Sequence, residues 1–298
     1  MSQILFVGLP DAGSFAIRAK QLCEAHGDGW EYGSLQGAIK FRHDFDIYCF
    51  IKKADRNVIR LLRAGKKIIV YDILDSWRQP QDDVRCQNVN DALNLFAQRF
   101  MEYRFDGVIF PNYKMLNDFR NLEYVINPVH IYHHYWPIIK PIVVKEKPEI
   151  LGYWGDPRFL GEWLPFLVQT AERHGLKFVV KPDYSQIDIG VAIRGAPYNN
   201  YLATNYKSPV KLVNFYAGGI PCILGEEASY KEIANKRVVF ANDFNSFKTA
   251  LARMLRYDVR LAAHEAFIIE KDKFSLSAII KQYSQYFNML MEKKSNGG

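Results

Sequence analysis

Close pairs of cysteines are missing from this chain. Its four cysteines, Cys23, Cys49, Cys86 and Cys222, are far apart, and none sits in a Cys/His ligand pair. That spacing speaks against a zinc ribbon or a disulfide framework and for reduced, mostly buried thiols. Also absent is any run near the roughly 18 apolar residues that a spanning helix needs. The segment after Met1, Ile4-Leu-Phe-Val-Gly8, is too short for a secretory signal and has no basic stretch before it. A cytoplasmic protein, soluble or peripheral to a membrane, is the expectation. The loop Gly8-Leu-Pro-Asp-Ala-Gly-Ser14 carries glycines, Gly13 among them, that would let a backbone approach a ligand. It has neither the G-x-G-x-x-G spacing nor a P-loop, which argues against dinucleotide or ATP binding there. From Glu292 to Gly298 nothing apolar remains to anchor the chain, so a frayed tail is expected.

Apolar residues, by contrast, fill 49% of the 298 positions, enough for a sizeable core, and at roughly 150 residues per domain the length suggests two. The formal charge of +7 favours an anionic partner: a nucleotide diphosphate, an anionic membrane surface or nucleic acid. A merely solvated basic surface is the competing reading.

Short β-branched or aromatic runs alternate with longer segments of helical period, the pattern of βαβ units around a parallel sheet. In the first half strands are expected at 3–8, 46–51, 67–71, 107–110 and 124–126, and helices at 14–26, 56–64, 90–104 and 113–120. A proline-rich stretch from Asn127 to Pro148 then fits a linker. In the second half strands are expected at 150–153, 177–181, 187–193, 220–224 and 237–240, with helices at 162–174, 209–217, 229–234 and 246–256. The amphipathic stretch 275–291 is one long helix or two short ones. The expected fold class is α/β, with two Rossmann-like doubly wound domains facing a cleft. Their bounds are 1–135, a linker at 136–149, 150–272, and a C-terminal helix and tail at 273–298. Such sheets bind ligands beyond the carboxyl ends of their strands.

The most informative segment runs from Ser208 to Gly225. Ser208 followed by Pro209 marks a helix start, since serine caps and proline fits the first helical position. Gly218-Gly219 ends that helix. Lys211 then lies in the first turn, where free amides and the helix dipole already favour an anion, and it adds a full positive charge. A cation placed there against the dipole suggests an anion to offset it. Asn214, three residues on, shares that face and can hydrogen-bond a neighbouring hydroxyl. Val210, Val213 and Ala217 supply the buried side.

Lys211-Leu-Val-Asn-Phe-Tyr-Ala-Gly-Gly-Ile-Pro-Cys-Ile resembles the donor-site helix of GT-B glycosyltransferases, particularly family 4, whose pattern is K-L-x-E/Q-Y-x-A-x-G-x-P-V-I. Segments 150–160, 67–75 and 226–233 match that family in the same order. The resemblance implies that Lys211 contacts the phosphates of a nucleotide-diphosphate sugar and Asn214 the ribose. It also implies that Arg158 meets the diphosphate, and that the reaction needs no metal or further cofactor and retains anomeric configuration. The chain departs from the family's E-x7-E signature, because no glutamate lies between Arg194 and Ser208 and 198–206 fills that place.

Arg194 ends the buried strand 187–193 and so points to the cleft as a second diphosphate candidate. A leaving diphosphate gains charge in the transition state, which cations such as Arg158, Arg194 and Lys211 stabilise more than the ground state. Asp72 and Asp75 follow a buried strand, where either could serve as general base, orient an acceptor, or simply cap the next turn. His130, His133 and His134 invite a metal reading, but a stretch rich in Tyr, Trp and Pro more often packs between domains. The function these residues imply is sugar transfer from a nucleotide sugar to a glycan, a lipid-linked glycan or a modified DNA base. A GT-B relative that binds without catalysis is the alternative.

Overall fold

The computed structural model describes residues 2–74 and 86–296. Its first half holds β1 (Ile4–Val7), α1 (Gly13–Phe15), a π-helical turn (Ala16–Lys20) running into α2 (Gln21–His26), β2 (Trp30–Gly33), α3 (Leu35–Lys40), β3 (Ile47–Ile51) and α4 (Arg56–Ala64). It continues with β4 (Ile68–Asp72), α5 (Val89–Tyr103), β5 (Gly107–Phe110), α6 (Tyr113–Phe119) and β6 (Pro128–His130). Next come β7 (Ile150–Tyr153), α7 (Trp163–Arg173), β8 (Lys177–Val180), β9 (Ile189–Ala192), α8 (Tyr201–Tyr206), α9 (Val210–Gly218) and β10 (Cys222–Leu224). The chain closes with α10 (Ala228–Ile233), β11 (Val239–Phe240), α11 (Phe244–Met254), α12 (Tyr257–Glu270) and α13 (Leu276–Asn296).

The strands form two sheets, ordered β2-β1-β3-β4-β5-β6 and β11-β10-β9-β7-β8. Every pairing is parallel. Parallel sheets covered on both faces need strands that are apolar throughout. Ile4-Leu-Phe-Val and Ile47-Tyr-Cys-Phe-Ile accordingly bury every residue. The expected α/β class with two doubly wound sheets is what the chain forms.

The differences lie where tertiary contacts override local pattern. The run 124–126 is not a strand; β6 forms instead at Pro128–His130, inside the expected linker. Proline is tolerated there because β6 is an edge strand, pairing only with β5. The opposite edge, β2, carries exposed Glu31 and Tyr32 and no β-branched residue, so it escaped a search for apolar runs. Helix α12 was also not expected.

The last helix crosses back to the first sheet. Ile279, Tyr283, Tyr286, Phe287 and Leu290 share one core with Ile4, Phe6, Ile47 and Ile68. Their spacing of three and four is a helix face. Gly107 admits this packing, since a Cβ there would lie 2.2 Å from the Tyr286 hydroxyl. The helix persists to Asn296, where a frayed tail was expected from Glu292, because Lys293 and Lys294 donate to Asn127 Oδ1 and the Lys66 carbonyl.

The two halves are tied on one side by α8. Leu202 and Tyr206 enter the core of the first half, and the Tyr206 hydroxyl donates to Asp118 at 2.8 Å. Asn112 Nδ2 donates to the carbonyls of Asn205 and Lys207, both at 2.9 Å. Glu232 of α10 accepts from the first-turn amides of Tyr113 and Lys114 at 3.0 and 2.7 Å, which caps α6 from the other half.

Candidate active site

Beyond the carboxyl ends of β7 and β9, two cations converge at the amino end of α9. Lys211 is half-buried, and its Nζ lies 4.1 Å from the centroid of the Tyr153 ring. Gly155 leaves room for it, because a Cβ at that position would stand 3.0 Å from Nζ. Arg194 follows β9, donates through Nε to Glu227 Oε1 at 2.8 Å, and places its guanidinium 5.6 Å from the Phe159 ring. Its side chain is only 14% exposed, so the ion pair is shielded from water. Glu227 Oε2 is buried and has no hydrogen-bond partner among the described residues.

Burial, followed by the nearby charge of Arg194, pushes the Lys211 ammonium down to about 7, with Glu227 opposing and Lys207 adding to the shift. The expected full positive charge is therefore only partly present at neutral pH. Burial works against the charge of Arg194, yet Glu227 and its hydrogen bond hold the pKa above the ordinary arginine value. Two desolvated cations thus stand around one buried carboxylate at the amino end of α9.

Helix α9 differs in two respects from the sequence reading. It begins at Val210, with Pro209 in the cap position, so half-buried Ser208 does not cap it and no side chain does. It is also buried on nearly all sides from Leu212 to Gly218. Asn214 is consequently engaged at both ends of its amide. Oδ1 accepts from the Trp136 amide at 2.9 Å, and Nδ2 donates to the Tyr184 hydroxyl at 3.0 Å. Tyr184 stacks on Trp154 at 5.4 Å, and Trp136 meets Trp154 edge-on at 5.6 Å. These rings, with Lys140 and Lys181, line a cavity of about 490 Å³. A second cavity of about 450 Å³ is lined by Arg194, Glu227 and Thr204 among others.

Arg158 does not join Lys211 and Arg194. It lies in a 3-10 turn after β7 with a side chain 74% exposed, and its guanidinium pairs with Asp156 at 2.6 Å. Gly13 has open space where a Cβ would be and makes no close approach to the protein. Asp75 lies outside the described residues.

Asp72 corrects the sequence reading. It is fully buried and accepts from Arg18 Nε at 3.0 Å and from the Tyr283 hydroxyl of α13. Arg18 in turn donates to the carbonyls of Ile131 and Tyr132 at 2.9 and 2.6 Å. A carboxylate enclosed in this way cannot reach an acceptor hydroxyl; it fixes the last helix and the start of the connecting segment to the first sheet. The histidines sit beside this network. Burial, then the charge of Arg18, pushes His130 and His134 down to about 3. Among the described residues no group of three His, Cys, Asp or Glu side chains could hold a metal.

Glu227 and the ring pair Trp154–Tyr184 were missed in the sequence. Glu227 was accessible to the reasoning that picked out Arg194, since it lies three residues beyond the buried strand β10. The rings carry no such signal.

Two parallel α/β sheets with a cationic helix start at their strand ends define the GT-B fold. No family model and no curated protein sequence matches the chain. Solved structures do: HepE (Alr3699) from Anabaena in complex with UDP and glucose superposes with a TM-score of 0.68 at 11% identity, covering 97% of this chain and 100% of that one. A glycosyltransferase from Rickettsia africae gives a TM-score of 0.63 at 10% identity, over 97% of this chain and 99% of the other. Sucrose-phosphate synthase from Thermosynechococcus elongatus gives 0.62 at 12%, with the same coverage. At identities this low the superpositions show the fold alone.

Proposed function

We propose that the protein is a glycosyltransferase that moves a sugar from a nucleotide-diphosphate donor to a hydroxyl acceptor. The observation that carries this reading is the convergence of Lys211 and Arg194 at the amino end of α9, beyond the strand ends of the second sheet. UDP and glucose occupy the Anabaena structure of the same fold, which supports a nucleotide sugar as the ligand. Lys211 and Arg194 take the diphosphate and stabilise it as it leaves, and the turn at Ser208 brings first-turn amides to the same anion. Asn214 acts on the donor by holding Tyr184 and Trp136 in place. Arg158 reaches the donor only by releasing Asp156, and the Gly13 loop faces it from the first half.

The division at 1–135, 136–149, 150–272 and 273–298 remains our assignment of the acceptor side, linker, donor side and returning helix. Retention of configuration and independence of metal follow from the family resemblance; these, a cytoplasmic location and an acceptor among glycans, glycolipids and modified DNA belong to this proposal.

A non-catalytic donor-binding protein is the second reading, favoured by the sequestration of Asp72. The test is a thermal-shift panel of UDP-, GDP-, dTDP-, CMP- and ADP-sugars on the wild type and Lys211→Ala, because a ligand of the native state must stabilise it. A selective shift that vanishes in the variant is expected; no shift with any donor refutes the proposal. Binding without transfer or donor hydrolysis selects the second reading.

A further inference from the structure

The amino ends of β4, β5 and β6 lie one strand length, roughly 13–17 Å, from the cleft. There a cavity of about 360 Å³ is bounded by the α4–β4 turn, the residues leading into β5 and β6, and the last turns of α13. Five cations surround it, Arg63, Lys66, Lys67, Lys293 and Lys294, against one carboxylate, Asp106. Asp106 is already committed: Oδ2 accepts from the Ile69 amide at 2.7 Å and Oδ1 lies 3.6 Å from Arg63. The lysine ammoniums that make contacts donate to neutral oxygens, Lys67 to the His43 carbonyl, Lys293 to Asn127 Oδ1 and Lys294 to the Lys66 carbonyl. Among the described residues no carboxylate neutralises the four lysines.

Helix ends explain part of this charge. The carboxyl ends of α4 and α13 each bring about half a negative charge, which leaves roughly three positive charges uncompensated around one cavity. Lys66 and Asn127, both on the wall, hold left-handed φ values of +55° and +44°; Lys66 closes the carboxyl end of α4, where the Lys67 amide donates to the Leu62 carbonyl at 3.2 Å, and asparagine adopts this region readily.

We propose that this cavity is a second anion site, separate from the cleft, that takes a phosphate-bearing group. Clustered ammoniums on flexible stems suit phosphoryl oxygens, and the size admits more than a single phosphate. Both a soluble phosphate ester and a lipid headgroup present that chemistry.

Calorimetric titration with inorganic pyrophosphate at low ionic strength tests it. The wild type binds two equivalents; Lys293→Ala/Lys294→Ala loses one, with affinity there down at least tenfold, and Lys211→Ala loses the other. Lys66→Gly relaxes the left-handed turn, so weakened binding in that variant cannot be unfolding. Retention on phosphatidylglycerol–phosphatidylcholine vesicles that disappears in the double variant identifies a lipid source; binding in solution without retention identifies a soluble one. If all pyrophosphate binding disappears in Lys211→Ala while the double variant and Lys66→Gly bind as the wild type does, the second site does not exist.

Discussion

Raising the pH above neutrality should weaken donor binding through a single group. Lys211 is pushed down to about 7 by burial and by Arg194 while the site holds no anion. A bound diphosphate supplies the missing counter-charge and returns the ammonium toward the ordinary lysine value of about 10.4. Below pH 7 the lysine is charged before the donor arrives, and binding carries no proton cost. Above it each binding event must take up a proton, so the affinity falls about tenfold per pH unit. Between pH 6 and pH 9 the loss is about a hundredfold, with uptake of about 0.9 proton per donor at pH 8. The diphosphate diester and Arg194 keep their charges across this window, which leaves Lys211 as the titrating group. Titration calorimetry in two buffers of different ionisation enthalpy measures both quantities. Lys211→Met should bind weakly and show a flat profile. Affinity that stays constant from pH 6 to 9 in the wild type, without proton uptake, would refute the reasoning.

The same desolvation makes Lys211 costly to the fold. A lysine whose folded pKa is depressed binds fewer protons than in the unfolded chain, so stability rises with pH between about 7 and the ordinary lysine value. Lys211→Met should accordingly raise the melting temperature at pH 7, by roughly 2 °C or more, while donor binding is lost; calorimetric melts read it, and a lower melting temperature contradicts it. Asp72→Ala leaves Arg18 buried without its partner and should cost about 3–5 kcal/mol in urea unfolding, whereas a loss of activity at unchanged stability would return Asp72 to the chemistry. Gly107→Ala drives a methyl onto the Tyr286 hydroxyl and should cost about 1–3 kcal/mol, part of it recovered in Gly107→Ala/Tyr286→Phe; additive losses in the pair would disprove the contact. Asn112→Ala removes the donor to Asn205 and Lys207 and should cost about 1–3 kcal/mol, with faster amide exchange in α8; unchanged exchange would mean that the bond does not hold the halves together.

Much of this fold follows from the chain's own pattern. Runs such as Ile4-Leu-Phe-Val and Ile68-Ile-Val-Tyr are apolar throughout, and only a parallel sheet covered on both faces buries such runs completely. Helix α9 and its glycine stop were legible for the same local reason, since Gly219 takes the left-handed cap at φ +60°. The start of that helix placed Lys211 in its first turn, and the buried strand β9 placed Arg194 beyond a strand end.

What the pattern does not encode is the partner each polar group finds. Asp72 was open to three roles in the sequence, general base, orienting group or turn cap, yet Arg18 and Tyr283, 54 and 211 residues away in sequence, enclose it. The resemblance implied a ribose contact for Asn214, but the segment that connects β6 to β7 claims its oxygen through the Trp136 amide. The Asn- and Tyr-rich segment 198–206 has weak helical propensity, and it forms α8 because Leu202 and Tyr206 bury themselves in the core of the other half. Sequence by itself determined most of the buried strands and the cation at the helix start, since those depend on periodicity within a few residues, but not the edge strands β2 and β6 or the helices α3, α8 and α12. Only the tertiary structure decided which charges are paired and which remain free for a ligand, because desolvation and pairing depend on groups brought together from distant parts of the chain.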